Sequence, residues 1–265
     1  MKYILAVIVF VVLFGINIQV KAHELLPQEV IEFLKQNPEA TPKEINDFAD
    51  TQSPEVAQKI RVKSADEIVV LTNKNKGGFF HTAKDFIRLG IKHILSGPDH
   101  ILFVLSLLLV FASVGEIFRL ITTFTIAHSL TLILAGTGTL LLSASIVEPI
   151  IALSIAVMAI LTTFYGKWRV MANQWAKTGL VFFFGLFHGL GFAGLLKEIS
   201  VPDETFFSSL ISFNVGIEMG QLIIIAIALP CLLYFRKRAW YPVFIKVIAL
   251  IISCIALIWF VQRLM

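Results

Sequence analysis

The sequence predicts an all-α polytopic membrane helix bundle: six transmembrane helices after a cleaved signal peptide, with a small helical extracytoplasmic segment. Three observations predict this class. Hydrophobic residues make up 57% of the 265 residues and mean hydropathy is +0.84. Charged residues make up 15%, whereas a soluble domain has about 25%. Six apolar runs are each long enough to cross the ~30 Å hydrocarbon core as a helix.

Residues 1–22 have the pattern of a secretory signal peptide. Lys2 precedes the apolar run ILAVIVFVVLFGI, and Val20 and Ala22 supply small residues at the −3 and −1 positions of a cleavage site. An uncleaved anchor helix is the alternative, because the apolar run is long for a signal. Cleavage would make His23 the first residue, and its α-amine and imidazole could then chelate one metal ion. The plain alternative is that cleavage merely leaves a histidine there.

Residues 23–86 form a polar segment that holds 11 of the 18 acidic residues. Helix-start signals recur along it: Pro27 before QEVIEFLKQN, the capping-box pattern from Thr41 to Glu44, and Ser53 before a Pro-Glu pair. We therefore expect two or three short amphipathic helices outside the cytoplasm. The segment is too small to build a large core of its own.

Residues 87–265 form the predicted transmembrane domain, whose apolar runs lie near 89–113, 119–138, 140–163, 178–196, 206–234 and 242–262. Helices are the only option for these spans because backbone polar groups in lipid must be satisfied internally. The connections predicted to be cytoplasmic carry the basic residues Arg119, Lys167, Arg169, Lys177, Arg236, Lys237 and Arg238. The positive-inside rule therefore agrees with the export signal. We expect a multi-pass protein of the inner (plasma) membrane with its N-terminal segment extracytoplasmic.

Composition also limits the kinds of partner that the chain is expected to bind. Lys and Arg form no block long enough to suggest a nucleic-acid surface, so the expected partners are membrane lipid and a metal ion. Cys231 and Cys254 both lie in apolar spans, where we expect buried core residues and not a disulfide or a metal pair. The sequence leaves the number of subunits open, a homo-oligomer included.

Polar side chains inside the spans form the candidate site. Ionisable groups at the centre of a bilayer cost roughly 3 kcal/mol or more each. Counted at about 1.5 Å per residue from the nearest helix end, most of these side chains reach a similar depth, at or just outside the midplane. The predicted set is His93, Asp99, His100, His128, Glu148, His188, Asn214 and Glu218. Each alone could simply hydrogen-bond between helices, and His93, near the outer surface, could be solvated. Their shared depth favours a functional site.

Imidazoles and carboxylates at one depth form a mixed nitrogen and oxygen ligand set. Such sets suit first-row divalent ions, including nickel, cobalt and zinc, better than magnesium or calcium. His93 and His100 are seven residues apart and would share one face of a continuous helix. Gly185, Gly189 and Ala193 are spaced four apart around His188 and would let a neighbouring helix approach closely.

The residues also resemble a known family. His93 to His100, HILSGPDH, is similar to the H-P-x-x-G-x-D-H signature of the HupE/UreJ family of nickel and cobalt permeases, with Ile94 in place of the proline. Over roughly residues 86–262, four further segments resemble that family in the same order: FTIAHSLTL (124–132), VEPIIALSI (147–155), FGLFHGLGFAG (184–194) and FNVGIEMGQL (213–222). The resemblance implies secondary uptake of a transition metal. It also implies that His93, Asp99, His100 and His128 are ligands.

Three functions remain open from the sequence. The leading one is a permease for nickel or cobalt, which is not an enzyme. The second is an intramembrane metal-dependent hydrolase, in which zinc would stay bound to a His and carboxylate site. The chain has neither an H-E-x-x-H nor a G-x-S-x-G motif, which weakens that case. The third is an accessory subunit of a metalloenzyme assembly whose polar groups are purely structural.

Overall fold

The computed structural model describes residues 27–37, 40–54, 56–57, 60, 79–110, 113–140, 142–163, 173–192 and 203–265. Every regular element within these ranges is an α-helix. The predicted signal peptide, His23, Ala193 and most of the connections after residues 163 and 192 lie outside them.

Two short helices of the polar segment are described, α1 (Gln28–Gln36) and α2 (Pro42–Gln52). The rings of Phe33 and Phe48 stack with their centroids 4.2 Å apart and join the two helices. The buried residues of these helices belong to the same apolar cluster as the start of the bundle. The predicted amphipathic helices are therefore present in the described part of this segment.

The capping box predicted at the start of α2 is formed. The Thr41 hydroxyl accepts from the Glu44 backbone N–H, and the Glu44 carboxylate accepts from the Thr41 backbone N–H. Pro42 occupies the first turn, where a missing N–H costs nothing. The hydrogen bonds from Thr41 hold the pKa of the Glu44 carboxyl below its usual value.

Among the described residues, the bundle consists of seven helices: α3 (Phe79–Ser96), α4 (Pro98–Val110), α5 (Val114–Gly136), α6 (Ala144–Thr163), α7 (Gln174–Gly191), α8 (Asp203–Phe235) and α9 (Tyr241–Leu264). The most extensive packing joins α3 to α8, α5 to α7 and α6 to α9. Helix α4 packs against α6 and also contacts α5, α8 and α9, so it links the three pairs.

Four of the described helices, α5, α6, α8 and α9, are long and apolar enough to cross a membrane. The bent pair α3–α4 makes a fifth crossing if it is counted as one span. Helix α7 falls outside this group, and Gln174, Lys177 and His188 are the residues that lower its hydropathy. The protein is thus an all-helical membrane protein, while the sixth span stays a prediction.

The predicted first span, 89–113, has the wrong shape. The chain forms two helices that meet at Gly97 with a bend of 72° between them, and the first begins at Phe79. Pro98 explains the break: it has no N–H to donate, and its ring opposes continuation of α3. Pro98 instead occupies the first position of α4, where proline is favoured.

Two further expectations meet different outcomes. The glycine spacing on α7 does permit close packing: a Cβ on Gly185 would lie 2.8 Å from the Cβ of Ala127, and one on Gly189 would collide with a backbone oxygen of α5. The expectation that Cys231 and Cys254 are buried is wrong, because both are exposed; both are free cysteines. They lie on the outward faces of α8 and α9, which apolar side chains can present to lipid.

Candidate metal site

Four histidines from four helices meet inside the bundle: His93 on α3, His100 on α4, His128 on α5 and His188 on α7. The ring centroid of His100 lies 4.4 Å from that of His93, 6.3 Å from that of His128 and 5.3 Å from that of His188. The centroids of His93 and His128 are 6.1 Å apart. None of the four is more than 6% exposed. We call this group the histidine cluster.

The break at Gly97 is what brings His93 and His100 together. Along a straight helix, seven residues would separate them by about 10 Å in rise. The 72° bend turns α4 so that the two ring centroids lie 4.4 Å apart, although the premise of one continuous helix is wrong. A Cβ on Gly97 would lie 2.7 Å from His100 Nδ1 and 2.8 Å from the carbonyl oxygen of His93, so glycine is required here. His93, predicted near the outer surface, is buried.

Close packing of α5 against α7 places the other two histidines. A Cβ on Gly189 would collide with the Thr131 hydroxyl and with the carbonyl oxygen of His128. Because Gly189 directly follows His188, this contact holds the two histidine-bearing segments side by side. The absence of a side chain at Gly189 is therefore needed for the position of His128 and His188 and not only for helix packing.

Phenylalanine rings wall the histidine cluster. Phe192 and Phe213 stack on each other at 4.5 Å and lie 4.5 and 5.6 Å from the ring of His93. Phe103 and Phe124 lie 4.8 and 5.1 Å from the ring of His188. These walls leave the imidazole nitrogens as the polar surface that a buried ion would meet.

One hydrogen bond assigns the tautomer of His188. The Ser154 hydroxyl donates to the Ile151 carbonyl oxygen at 2.6 Å. A hydroxyl has one proton, so the 3.0 Å contact between Ser154 Oγ and His188 Nε2 must be a bond in which Nε2–H donates. In the neutral ring this leaves Nδ1 as the acceptor nitrogen, and within the described residues Nδ1 has no hydrogen-bond partner. Nδ1 is thus the atom of His188 suited to a metal.

The spacing of the rings is close to that of metal-bound imidazoles. With metal–nitrogen bonds of about 2.0–2.1 Å, two imidazoles on one tetrahedral ion have centroids about 5 Å apart. The observed separations of 4.4 to 6.3 Å bracket that value. As they stand, however, no three His, Cys, Asp or Glu side chains in the described part of the chain are arranged to hold an ion. Holding one therefore requires the rings to turn.

The Asp99 and Glu148 segments meet Arg263, which the sequence reasoning missed. Nη2 of Arg263 donates to both carboxylate oxygens of Asp99 at 3.0 Å, and Nη1 donates to the Glu148 carbonyl oxygen at 3.2 Å. Neighbouring residues on a helix point about 100° apart, so Asp99 faces α9 while His100 faces the histidine cluster. An arginine in the last turn of an apolar helix needs a partner, and that was the available signal. We call Asp99, Glu148 and Arg263 the acid–arginine group.

The predicted residues of α8 are only partly placed in the site. Asn214 and Glu218 are half-buried, and the Asn214 amide donates to the Leu210 carbonyl oxygen of its own helix. Gln221 is fully buried and accepts from the Thr125 hydroxyl at 3.0 Å, which ties α8 to α5. The role of Asn214 and Glu218 as ligands stays a prediction.

A buried ion pair joins the first turns of α5 and α7. Lys177 pairs with Glu116, and both side chains are buried. Arg119 donates to Gln174 beside them at 2.9 Å. Lys177 was predicted only as a basic residue of a cytoplasmic connection, so its burial is new. This pair joins the helices that carry His128 and His188.

A family model described as HupE / UreJ protein matches residues 70–263. That range contains the histidine cluster and the acid–arginine group. No curated protein and no solved structure matched the chain.

Proposed function

The chain belongs to the HupE/UreJ family, which is associated with nickel and cobalt uptake, and from this premise we propose that it is a permease for one of these divalent ions. The histidine cluster carries the proposal. It gathers four buried imidazoles from four helices within a wall of phenylalanine rings. Imidazole is a preferred ligand of nickel, cobalt and zinc, and the cluster supplies four buried imidazoles in one region of the bundle.

The proposed route runs from the extracytoplasmic side inward. His23, if it begins the mature chain, collects metal outside. The acid–arginine group is then the first intramembrane stop, with Asp99 and Glu148 offering oxygen ligands. The histidine cluster follows, and His188 binds through Nδ1 because Ser154 accepts from Nε2–H. Asn214 and Glu218 supply further oxygen atoms or accept protons.

Transport requires that the ion can leave as well as bind. The four ligand histidines sit on four separate helices, so a shift of one helix would change the coordination without unfolding the site. Imidazoles must be deprotonated to bind metal, so we expect uptake to weaken at low pH. The proposed topology has six spans, with α7 as the fourth, in the inner (plasma) membrane.

The hydrolase alternative gains no support. A catalytic zinc needs an open position for water and a carboxylate placed as a general base. Asp99, the carboxylate adjacent to the cluster in sequence, accepts from Arg263 through both of its oxygens.

Uptake of radioactive nickel or cobalt into proteoliposomes containing the full chain tests the proposal. We expect His100→Ala to abolish accumulation with unchanged protein content, because His100 lies between the other three histidines. Its ring centroid is 4.4, 5.3 and 6.3 Å from those of His93, His188 and His128. Lys246→Gln, at an exposed position of α9, is the matched control and should transport normally. Accumulation by His100→Ala at the wild-type rate would refute the assignment.

A further inference from the structure

We propose that Arg263 is a tethered counter-cation that occupies the Asp99 carboxylate and that an incoming divalent metal must displace. Arg263 would then determine specificity at the first intramembrane stop of the route. The inference rests on the proposed permease function, whose metal route it makes more specific.

The contacts of Arg263 form a built cation site. The Asp99 carboxylate accepts from Nη2 through both oxygens, and the Glu148 carbonyl oxygen accepts from Nη1. The side chains of Arg263 and Asp99 are 8% and 17% exposed. The guanidinium carbon also lies 5.6 Å from the ring centroid of Trp259, one turn earlier on α9. Carboxylate, carbonyl and aromatic face together surround one positive charge.

The Asp99 carboxylate already has one positive charge beside it, the guanidinium of Arg263. A monovalent ion in place of the guanidinium would only repeat that charge, whereas a divalent ion brings a second positive charge to the carboxylate and the neighbouring carbonyl oxygen. The acid–arginine group therefore favours a divalent cation over a monovalent one.

Displacement is physically feasible because Arg263 keeps a second partner. The Trp259 face belongs to the same helix and stays available when Asp99 turns to a metal. The tether also makes Arg263 a competitor that free monovalent ions do not match at ordinary concentrations. Specificity then comes from a repulsive element, a resident positive charge, as well as from ligands.

Binding of Co²⁺ to the purified full chain, measured by calorimetry, tests this competition. Hydrogen bonds to charged groups are worth about 1.5–3 kcal/mol, so R263Q should tighten Co²⁺ binding by about ten- to a hundredfold. In a D99N background R263Q should change little, because the carboxylate for which the two cations compete is gone. R263K keeps the charge and loses the planar fork, so it should tighten binding by less than R263Q does.

The outcomes separate the possible failures. Weaker or unchanged Co²⁺ binding by R263Q would overturn the inference, and so would an equal tightening by R263Q with and without Asp99. The proposed permease function would stand in either case. If the wild-type chain bound neither Co²⁺ nor Ni²⁺, the proposed function would fail and the inference with it.

A second measurement needs no variant, in case R263Q does not fold. Phenylglyoxal modifies accessible arginines, and mass spectrometry locates the modified residue. Co²⁺ should accelerate modification of Arg263 in the wild-type chain and leave the exposed Arg238 unchanged. Equal rates at Arg263 with and without Co²⁺ would overturn the inference.

Discussion

Replacing Ser154 by alanine should weaken metal binding although Ser154 is not itself proposed as a ligand. In the structure its hydroxyl donates to the Ile151 carbonyl oxygen and accepts from His188 Nε2–H. Alanine removes the acceptor, and a buried N–H left without a partner costs about 1–3 kcal/mol. The His188 ring would then lose both its tautomer preference and its orientation.

The expected loss can be sized in a second way. Partners that orient a metal-binding histidine typically contribute about 10- to 100-fold in metal affinity. At 1.36 kcal/mol per tenfold, this is about 1.4–2.8 kcal/mol, in agreement with the cost of an unsatisfied N–H. We therefore expect Ser154→Ala to raise the Kd for Co²⁺ by about one to two orders of magnitude.

Calorimetry with Co²⁺ on the purified chain measures this change. Ser154→Thr keeps the hydroxyl and is the matched control, with a Kd closer to wild type. Nitrogen-15 NMR of labelled histidine gives an independent result, since the wild-type His188 should show a protonated Nε2. An unchanged Kd in Ser154→Ala, or a protonated Nδ1 in the wild-type ring, would refute the reasoning.

Three further predictions concern stability. Lys177→Met should destabilise the protein by about 3–5 kcal/mol in detergent unfolding, because it leaves the buried Glu116 carboxylate without its positive partner. Adding Glu116→Gln should recover much of this loss, and a single variant as stable as wild type would contradict the prediction. Gly189→Ala should lower the free energy of unfolding by about 1–3 kcal/mol, because the added Cβ forces α5 and α7 apart. Gly179→Ala on the same helix is the control and should cause no loss, because a Cβ there meets nothing within 4 Å. Equal melting temperatures for the two variants would contradict this prediction. Because the pKa of Glu44 is lowered, its capping bond stabilises α2 fully above the ordinary carboxyl pKa, and this stabilisation is lost as pH falls through the lowered pKa. Amide hydrogen exchange of α2 should therefore accelerate at that pH relative to the other helices. Protection of α2 that does not change with pH would contradict this prediction.

The helical spans could be predicted because apolar length and helix signals are local properties. The ends of α5, α6, α8 and α9 fall within a few residues of the predicted runs. The capping box at Thr41 was also readable, since its two residues are three positions apart. What the local pattern did not show was the bend at Gly97, because a Gly-Pro pair in an apolar run is compatible with either a kink or a break.

The site could be predicted in its residue types and not in its pairings. His100, His128 and His188 were identified from their cost in lipid and their similar depth, and His93 from its spacing from His100 and from the family resemblance; the structure places all four together. The partners Arg263 and Ser154 depend on contacts across 164 and 34 residues of chain, which no local rule fixes. Asp99 was expected to face the histidines, and its pairing with Arg263 follows from the direction in which α4 presents it.

X-ray absorption spectroscopy of the nickel- or cobalt-loaded full chain tests the central claim most directly. If the histidine cluster holds the transported ion, the bound metal should show imidazole scattering from at least three rings, and His100→Ala should reduce that number. A bound ion with oxygen ligands alone, or one whose imidazole shell is identical in wild type and His100→Ala, would contradict the account.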